Sequence, residues 1–227
     1  MRLHTTCAAL AAALITTGAG AASAQDPEFA FNIAGTTDYV FRGVSQTLED
    51  PALSAGIDMT AGSFYAGVWA SNVDFGDDTD LEVDLYGGYR TEWAGFAWDF
   101  GVVGYVYGNA PTGVNYDYVE FKLAASRAIG PVTAGAAVYV SPNFFGVDGE
   151  ATYAEVNGSY AVGDRWTLSG AFGRQTLDVS DDYYTWNLGA AFAITDNVSF
   201  DLRYHDTDID GLPIADDRFA ATLKAAF

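Results

Sequence analysis

Along most of this chain apolar side chains fall on every second position. Between residues 81 and 91, Leu81, Val83, Leu85, Gly87 and Tyr89 hold one parity, and Glu82, Asp84, Tyr86, Gly88 and Arg90 hold the other. A β-strand sends two such sets to opposite faces because its side chains repeat every two residues. The same alternation predicts strands over 29–41, 53–61, 63–73, 96–107, 119–126, 132–140, 152–162, 166–172, 184–194, 198–204 and 219–227. Five connections are short and rich in turn formers: 60–63, 92–95, 129–131, 162–164 and 195–197. Six are longer, at 42–51, 74–80, 108–117, 141–150, 176–182 and 206–217, and the two kinds alternate. In an antiparallel meander that places every long loop at one end. The expected fold is therefore all-β: a single antiparallel up-and-down transmembrane β-barrel of about 12 strands, with short periplasmic turns and longer acidic extracellular loops.

A soluble barrel would turn the apolar parity inward. Three features argue for the opposite. About eight strands suit a side-chain-filled interior, and twelve enclose more room than these side chains fill. Aromatics gather near strand ends at Phe29, Tyr39, Phe41, Trp93, Phe96, Trp166, Phe172, Tyr184 and Trp186, as interfacial girdles require. The polar parity also mixes Gly, Ser and Thr with charges, which suits a narrow aqueous bore.

Residues 1–24 have the parts of a cleaved export signal: Arg2, an apolar run from Ala8 to Ile15, and Ala22-Ser23-Ala24. The barrel is then expected over 25–227, in the cell outer membrane. Cys7, the sole cysteine, would leave with the signal, so no disulfide is expected. No later run approaches the ~20 apolar residues of a spanning helix, so entry into a membrane would be by strands. Without Arg2 the chain keeps 9 Lys and Arg against 30 Asp and Glu, a formal charge of −21. Such a surplus argues against nucleic acid as a partner, since phosphate binding is driven by cationic side chains.

Projecting the polar parity inward gives candidate pore-lining acids Asp38, Asp58, Glu82, Asp84, Asp99, Glu120, Glu155 and Asp201. Their basic counterparts are Arg42, Arg90, Lys122, Arg165, Arg203 and Lys224. Cross-lumen pairing with a modest acidic excess would favour cations, as carboxylate rings do. Further acids crowd the long loops: Asp74, Asp77, Asp78, Asp80, Asp148, Glu150, Asp178, Asp181 and Asp182. They would draw cations to the entrance, or be solvated, or be bridged to lipopolysaccharide by divalent ions.

Asp206, Asp208, Asp210, Gly211 and Asp217 occupy positions 1, 3, 5, 6 and 12 of an EF-hand-type calcium loop. Asp at position 12, Pro213 and flanking strands depart from that motif, and an ordinary acidic hairpin loop accounts for the same residues. No other cofactor is indicated. Enzymatic chemistry has one candidate, His205, the sole histidine after the signal, and no serine is placed by sequence to use it. A non-enzymatic role is expected.

The segment 38–58 resembles the opening of TorF-type porins, also called Gcw_chp proteins. Tyr39, Arg42-Gly43, Ser45-Gln46 and Pro51-Ala52-Leu53 match the residues that recur there. The likeness is sharp over 30–60 and architectural beyond. It implies an outer-membrane barrel and leaves the solute open. From the residues themselves, 42–51 is an external loop that Arg42-Gly43 begins and Pro51 ends. Arg42 with Asp38 then either shapes selectivity at the mouth or pairs with a neighbouring carboxylate to fix the barrel. The run Phe219, Ala221, Leu223, Ala225, Phe227 is expected to be a lipid-facing last strand, with Phe227 resembling the signal read by the barrel assembly machinery.

The functional expectation is an outer-membrane porin-like channel for passive diffusion of small solutes, cationic or neutral. The alternatives are a non-conducting barrel whose acidic loops bind divalent cations or partners, and a lipid-modifying barrel enzyme using His205.

Overall fold

The computed structural model describes residues 26–147 and 149–227, and the expected export signal lies outside them. The chain forms β1 (Glu28–Thr36), β2 (Val40–Phe41), β3 (Val44–Ser45), β4 (Ala52–Ala61), β5 (Phe64–Asn72), β6 (Leu81–Trp93) and β7 (Phe96–Gly108). It continues as β8 (Tyr118–Ile129), β9 (Val132–Ser141), β10 (Ala151–Val162), β11 (Trp166–Leu177), β12 (Tyr183–Ala193), β13 (Val198–Thr207) and β14 (Arg218–Ala226). Twelve of these close into one antiparallel barrel, and β2 and β3 form a separate two-stranded ribbon. Among the described residues no helix is long and apolar enough to cross a membrane.

Closure is made by β1, which pairs with β4 on one side and with β14 on the other, from Asn32 opposite Ala226 to Thr36 opposite Thr222. Phe31 and Phe227 extend that ladder by exchanging both backbone hydrogen bonds, at 3.0 and 2.9 Å. A closed ladder leaves no strand edge, the condition for strands in hydrocarbon. Tight turns join the strands at one end. Between Trp93 and Phe96 only Ala94 and Gly95 intervene, with φ of +54° and +79°, the left-handed pair that matches the twist of a two-residue hairpin.

The two faces are inverted relative to a soluble protein. Leu188, Phe219 and Phe64 are 68%, 67% and 65% exposed on the outside, whereas inward-facing Glu82 and Glu120 are 2% and 1% exposed. An apolar exterior on every strand is stable only against hydrocarbon, so the barrel is transmembrane.

The first expected strand is corrected. It ends at Thr36, and 38–47 folds into the barrel before the exposed 48–51 leads into β4. Thr36 Oγ1 donates to the Asp38 carbonyl at 3.0 Å, and the chain turns inward. The alternation at 40–45 is real but belongs to the β2–β3 hairpin. Its turn is Arg42-Gly43, with φ of +48° and +87°. Tyr39 and Phe41 therefore lie inside the barrel and are not part of an interfacial girdle.

Leu188 sits mid-way along β12 on the outer face. Leu188→Arg should cost about 2–4 kcal/mol in reversible unfolding from lipid vesicles. Ala171→Ser, on the inner face of β11, should change stability by about 0.5 kcal/mol or less.

Candidate functional site

The site is the lumen with the first long loop folded into it. The loop is knotted around the Asp38 carboxylate, which accepts from Ser45 Oγ at 2.7 Å and from Arg218 Nη1 of β14 at 3.1 Å. Gln46 N–H bonds back to the Tyr39 carbonyl at 2.7 Å. From that base the hairpin crosses the bore. Tyr39 packs edge-on to Trp69 of β5 and donates to Glu82 Oε1 of β6 at 2.8 Å. Phe41 meets Tyr105 of β7. Gly43 lies so close to Thr185 of β12 and Thr207 of β13 that a Cβ there would collide with both. With the contacts of Arg42, the loop touches every barrel strand from β5 to β14.

Arg42 is the centre of this arrangement. Its Nη1 and Nη2 donate to Glu120 Oε1 and Oε2 of β8 at 2.8 and 2.7 Å, and Nη1 also donates to Gln175 Oε1 of β11 at 3.0 Å. The guanidinium carbon lies 4.3 Å from the ring centre of Tyr153, 4.6 Å from Phe41 and 5.2 Å from Tyr139. The side chains of Arg42 and Glu120 are 6% and 1% exposed. A two-pronged ion pair with flanking aromatic faces suits a guanidinium and not an ammonium. Of the two roles foreseen for Arg42, the geometry is that of pairing, but with Glu120, 78 positions away, not with a neighbour.

Glu82 and Asp84 lie beside the loop on the inner face of β6. Both are buried, and among the described residues no donor approaches Asp84 Oδ1. Towards the short-turn end Asp99 accepts from Tyr65 at 2.7 Å, Lys122 at 2.9 Å and Arg90 at 3.4 Å. Asp58 accepts from Tyr86 at 2.6 Å, and Glu155 from Tyr153 and Asn157. Arg203 binds Asp201, Asn187 and Ser169. Between these clusters the inner face carries Ala124, Ser126, Gly135, Ser159 and Ala171, whose short side chains add little bulk to the bore.

Arg165, expected inside, lies in the exposed turn between β10 and β11. His205 lies on the inner face of β13, between Asn187 and Arg218 in register, and away from lipid. Gln175, Tyr139 and Tyr153 were missed as site residues. Gln175 keeps the polar parity of β11 past Phe172, where the expected strand stopped, and the two tyrosines are inward aromatics that parity alone does not rank.

At the long-loop end, Phe75, Tyr116, Phe144 and Phe145 pack over Tyr107 and Tyr118, in the cluster that Tyr39 and Phe41 also join. Many loop acids shape the loops themselves. Asp74 accepts from Gly76 N–H, Asp117 from Tyr107 N–H and Asp182 from Leu177 N–H. The Tyr116 hydroxyl donates to Asp77 at 2.9 Å, and that bond holds its pKa above the ordinary phenol value. In the 206–217 segment Asp206 accepts from Tyr204 and Thr207 N–H, and Asp208 accepts from Tyr184 N–H at 2.6 Å. Asp217 lies beside the same Tyr204 hydroxyl as Asp206, yet among the described residues no three His, Cys, Asp or Glu side chains gather to hold a metal. Asp148 lies outside the described residues.

A closed twelve-strand barrel with an apolar exterior and a charged, loop-constricted bore has the fold of porin-like outer-membrane barrels. KdgM porin aligns over 87% of this chain and 99% of its own, with a TM-score of 0.61 and 7% identity. NanC porin aligns over 86% and 97%, with a TM-score of 0.58 and 8% identity. The COG4313 outer membrane channel from Pseudomonas putida F1 aligns over 93% and 99%, with a TM-score of 0.54 and 10% identity. A larger porin is matched over only 62% of its own length, at a TM-score of 0.45 and 17% identity. The chain belongs to the Gcw_chp family, described as bacterial protein of unknown function, whose model matches residues 19–227. No curated protein matches it.

Glu120→Gln leaves the buried guanidinium without its counter-charge and should cost about 3–5 kcal/mol in equilibrium unfolding. Arg174→Ala breaks a half-exposed pair with Asp182 and should cost less than about 1 kcal/mol in the same measurement.

Proposed function

We propose that this chain is an outer-membrane channel for passive diffusion of small solutes, and that its first loop sets its conductance. The observation that carries the reading is the inserted loop itself. It is seated by hydrogen bonds, ion pairs and aromatic contacts with the wall. Polar seating can be exchanged for water when the loop leaves, so such a loop is displaceable in a way that a packed apolar core is not. The TorF-type porin resemblance and the porin-like neighbours support the same reading.

Cation or neutral-solute preference follows from the lining. Arg42 faces Glu120, Arg203 faces Asp201, Arg218 faces Asp38, and Arg90 and Lys122 share Asp99, while Asp58 and Glu155 are held only by the neutral partners Tyr86, Tyr153 and Asn157, and inward-facing acids formally outnumber the bases. KdgM porin has been solved in complex with disordered oligogalacturonate, a polyanion. A bore with an acidic surplus would repel such a chain, so the shared fold carries a different solute class here.

A second reading is favoured by how completely the loop crosses the bore. In it the barrel does not conduct, and its acidic loops, among them Asp178, Asp181 and Asp182, bind divalent cations or lipopolysaccharide. Planar-bilayer recording separates the two. The wild-type barrel should show small, interrupted currents with a reversal potential on the cation side of a KCl gradient. Replacing residues 39–47 by a short Gly-Ser link should raise the current several-fold. Leak-level current from both proteins would leave only the second reading.

A further inference from the structure

Four consecutive barrel strands build the seat of Arg42. β8 supplies Glu120, β9 Tyr139, β10 Tyr153 and β11 Gln175, and all four belong to the wall, not to the loop. Glu120 and Gln175 are each 1% exposed. Tyr105 donates to Glu120 Oε2 at 3.1 Å and fixes the carboxylate's plane. The carboxylate offers two oxygens at the spacing of a guanidinium fork, the amide oxygen takes a further N–H, and two phenol rings flank the plane. A clasp that only had to hold a loop would need the ion pair alone. This wall specifies the shape, hydrogen-bond count and polarisable faces of a planar cation.

We propose that the Glu120–Gln175–Tyr139–Tyr153 pocket is a recognition site for a guanidinium-bearing solute, which Arg42 fills as an internal stand-in while the loop is inserted. Its use in transport rests on the channel reading above, but the pocket's chemistry does not. A tethered side chain competes at an effective concentration on the order of millimolar. A solute with additional contacts in the lumen therefore displaces it at comparable concentrations, and recognition and loop release become one event.

The test is titration calorimetry on the detergent-solubilised barrel at millimolar ligand, well below denaturing guanidinium. Arg42→Ala should bind guanidinium chloride and arginine methyl ester saturably at one site. Binding should be about ten-fold weaker or worse for lysine methyl ester, for Arg42→Ala/Glu120→Gln, and for the wild type, where Arg42 competes. Circular dichroism checks that each barrel is folded. If Arg42→Ala fails to fold, the barrel with 39–47 replaced takes its place. A folded barrel lacking Arg42 that shows no saturable binding, or that binds lysine and arginine esters equally, overturns the proposal. Current without binding sinks the pocket and leaves the channel standing. Binding without current does the reverse.

Discussion

Taking a guanidinium and a carboxylate out of water costs several kcal/mol for each ion, and only close geometry with further hydrogen bonds recovers it. The Arg42–Glu120 pair meets that condition with two short bonds, an amide acceptor and aromatic faces, and the interior is organised around it. Holding Arg42 at the wall of β8 to β11 draws the β2–β3 hairpin across the bore. That in turn brings Tyr39 to Glu82, Phe41 to Tyr105 and Gly43 against Thr185 and Thr207. The left-handed backbone at both Arg42 and Gly43 closes the two-residue turn and puts Arg42 at the hairpin tip. What fills the bore thus depends on one buried ion pair.

Hydrocarbon outside and water inside reverse the usual division of labour. Apolar residues such as Leu188 and Phe219 solvate the barrel in lipid but do not pack a core. Cohesion comes from the closed backbone ladder and from polar clusters such as Asp99 with Tyr65 and Lys122, or Arg203 with Asp201 and Asn187. Among the described residues an apolar cluster lies at the long-loop end, where Val73, Tyr105, Tyr107 and Tyr118 meet the loop aromatics. The hairpin joins it through Tyr39 and Phe41.

The acidic surplus divides into three uses. Part of it is paired inside the lumen. Part caps loop backbones: Asp74 and Asp182 do so locally, because a short carboxylate reaches an N–H a few residues away, and Asp117 does so across its loop from Tyr107 N–H. The remainder is solvated charge on the long-loop rim. Net charge alone does not separate these uses.

Twelve strands and the alternation of short and long connections are local consequences of a two-residue period and of turn chemistry. Closure of the last strand on the first, Asn32 opposite Ala226, is a long-range pairing to which the alternation at the chain's end only points. The inner placement of Asp58, Glu82, Asp99, Glu120, Asp201 and Arg203 followed from the same parity. The direction of the first loop did not. Alternation through 37–45 fits an extended first strand and an inward hairpin equally, because both are β structure and both place Tyr39 and Phe41 on one face. The choice is made by partners 78 and 133 positions away, Glu120 and Gln175, and by Arg218 at the far end of the chain. Charge compensation over such separations depends on which strands stand beside one another after closure, so the period of the chain determined the barrel, and the closed barrel decided what its first loop fills.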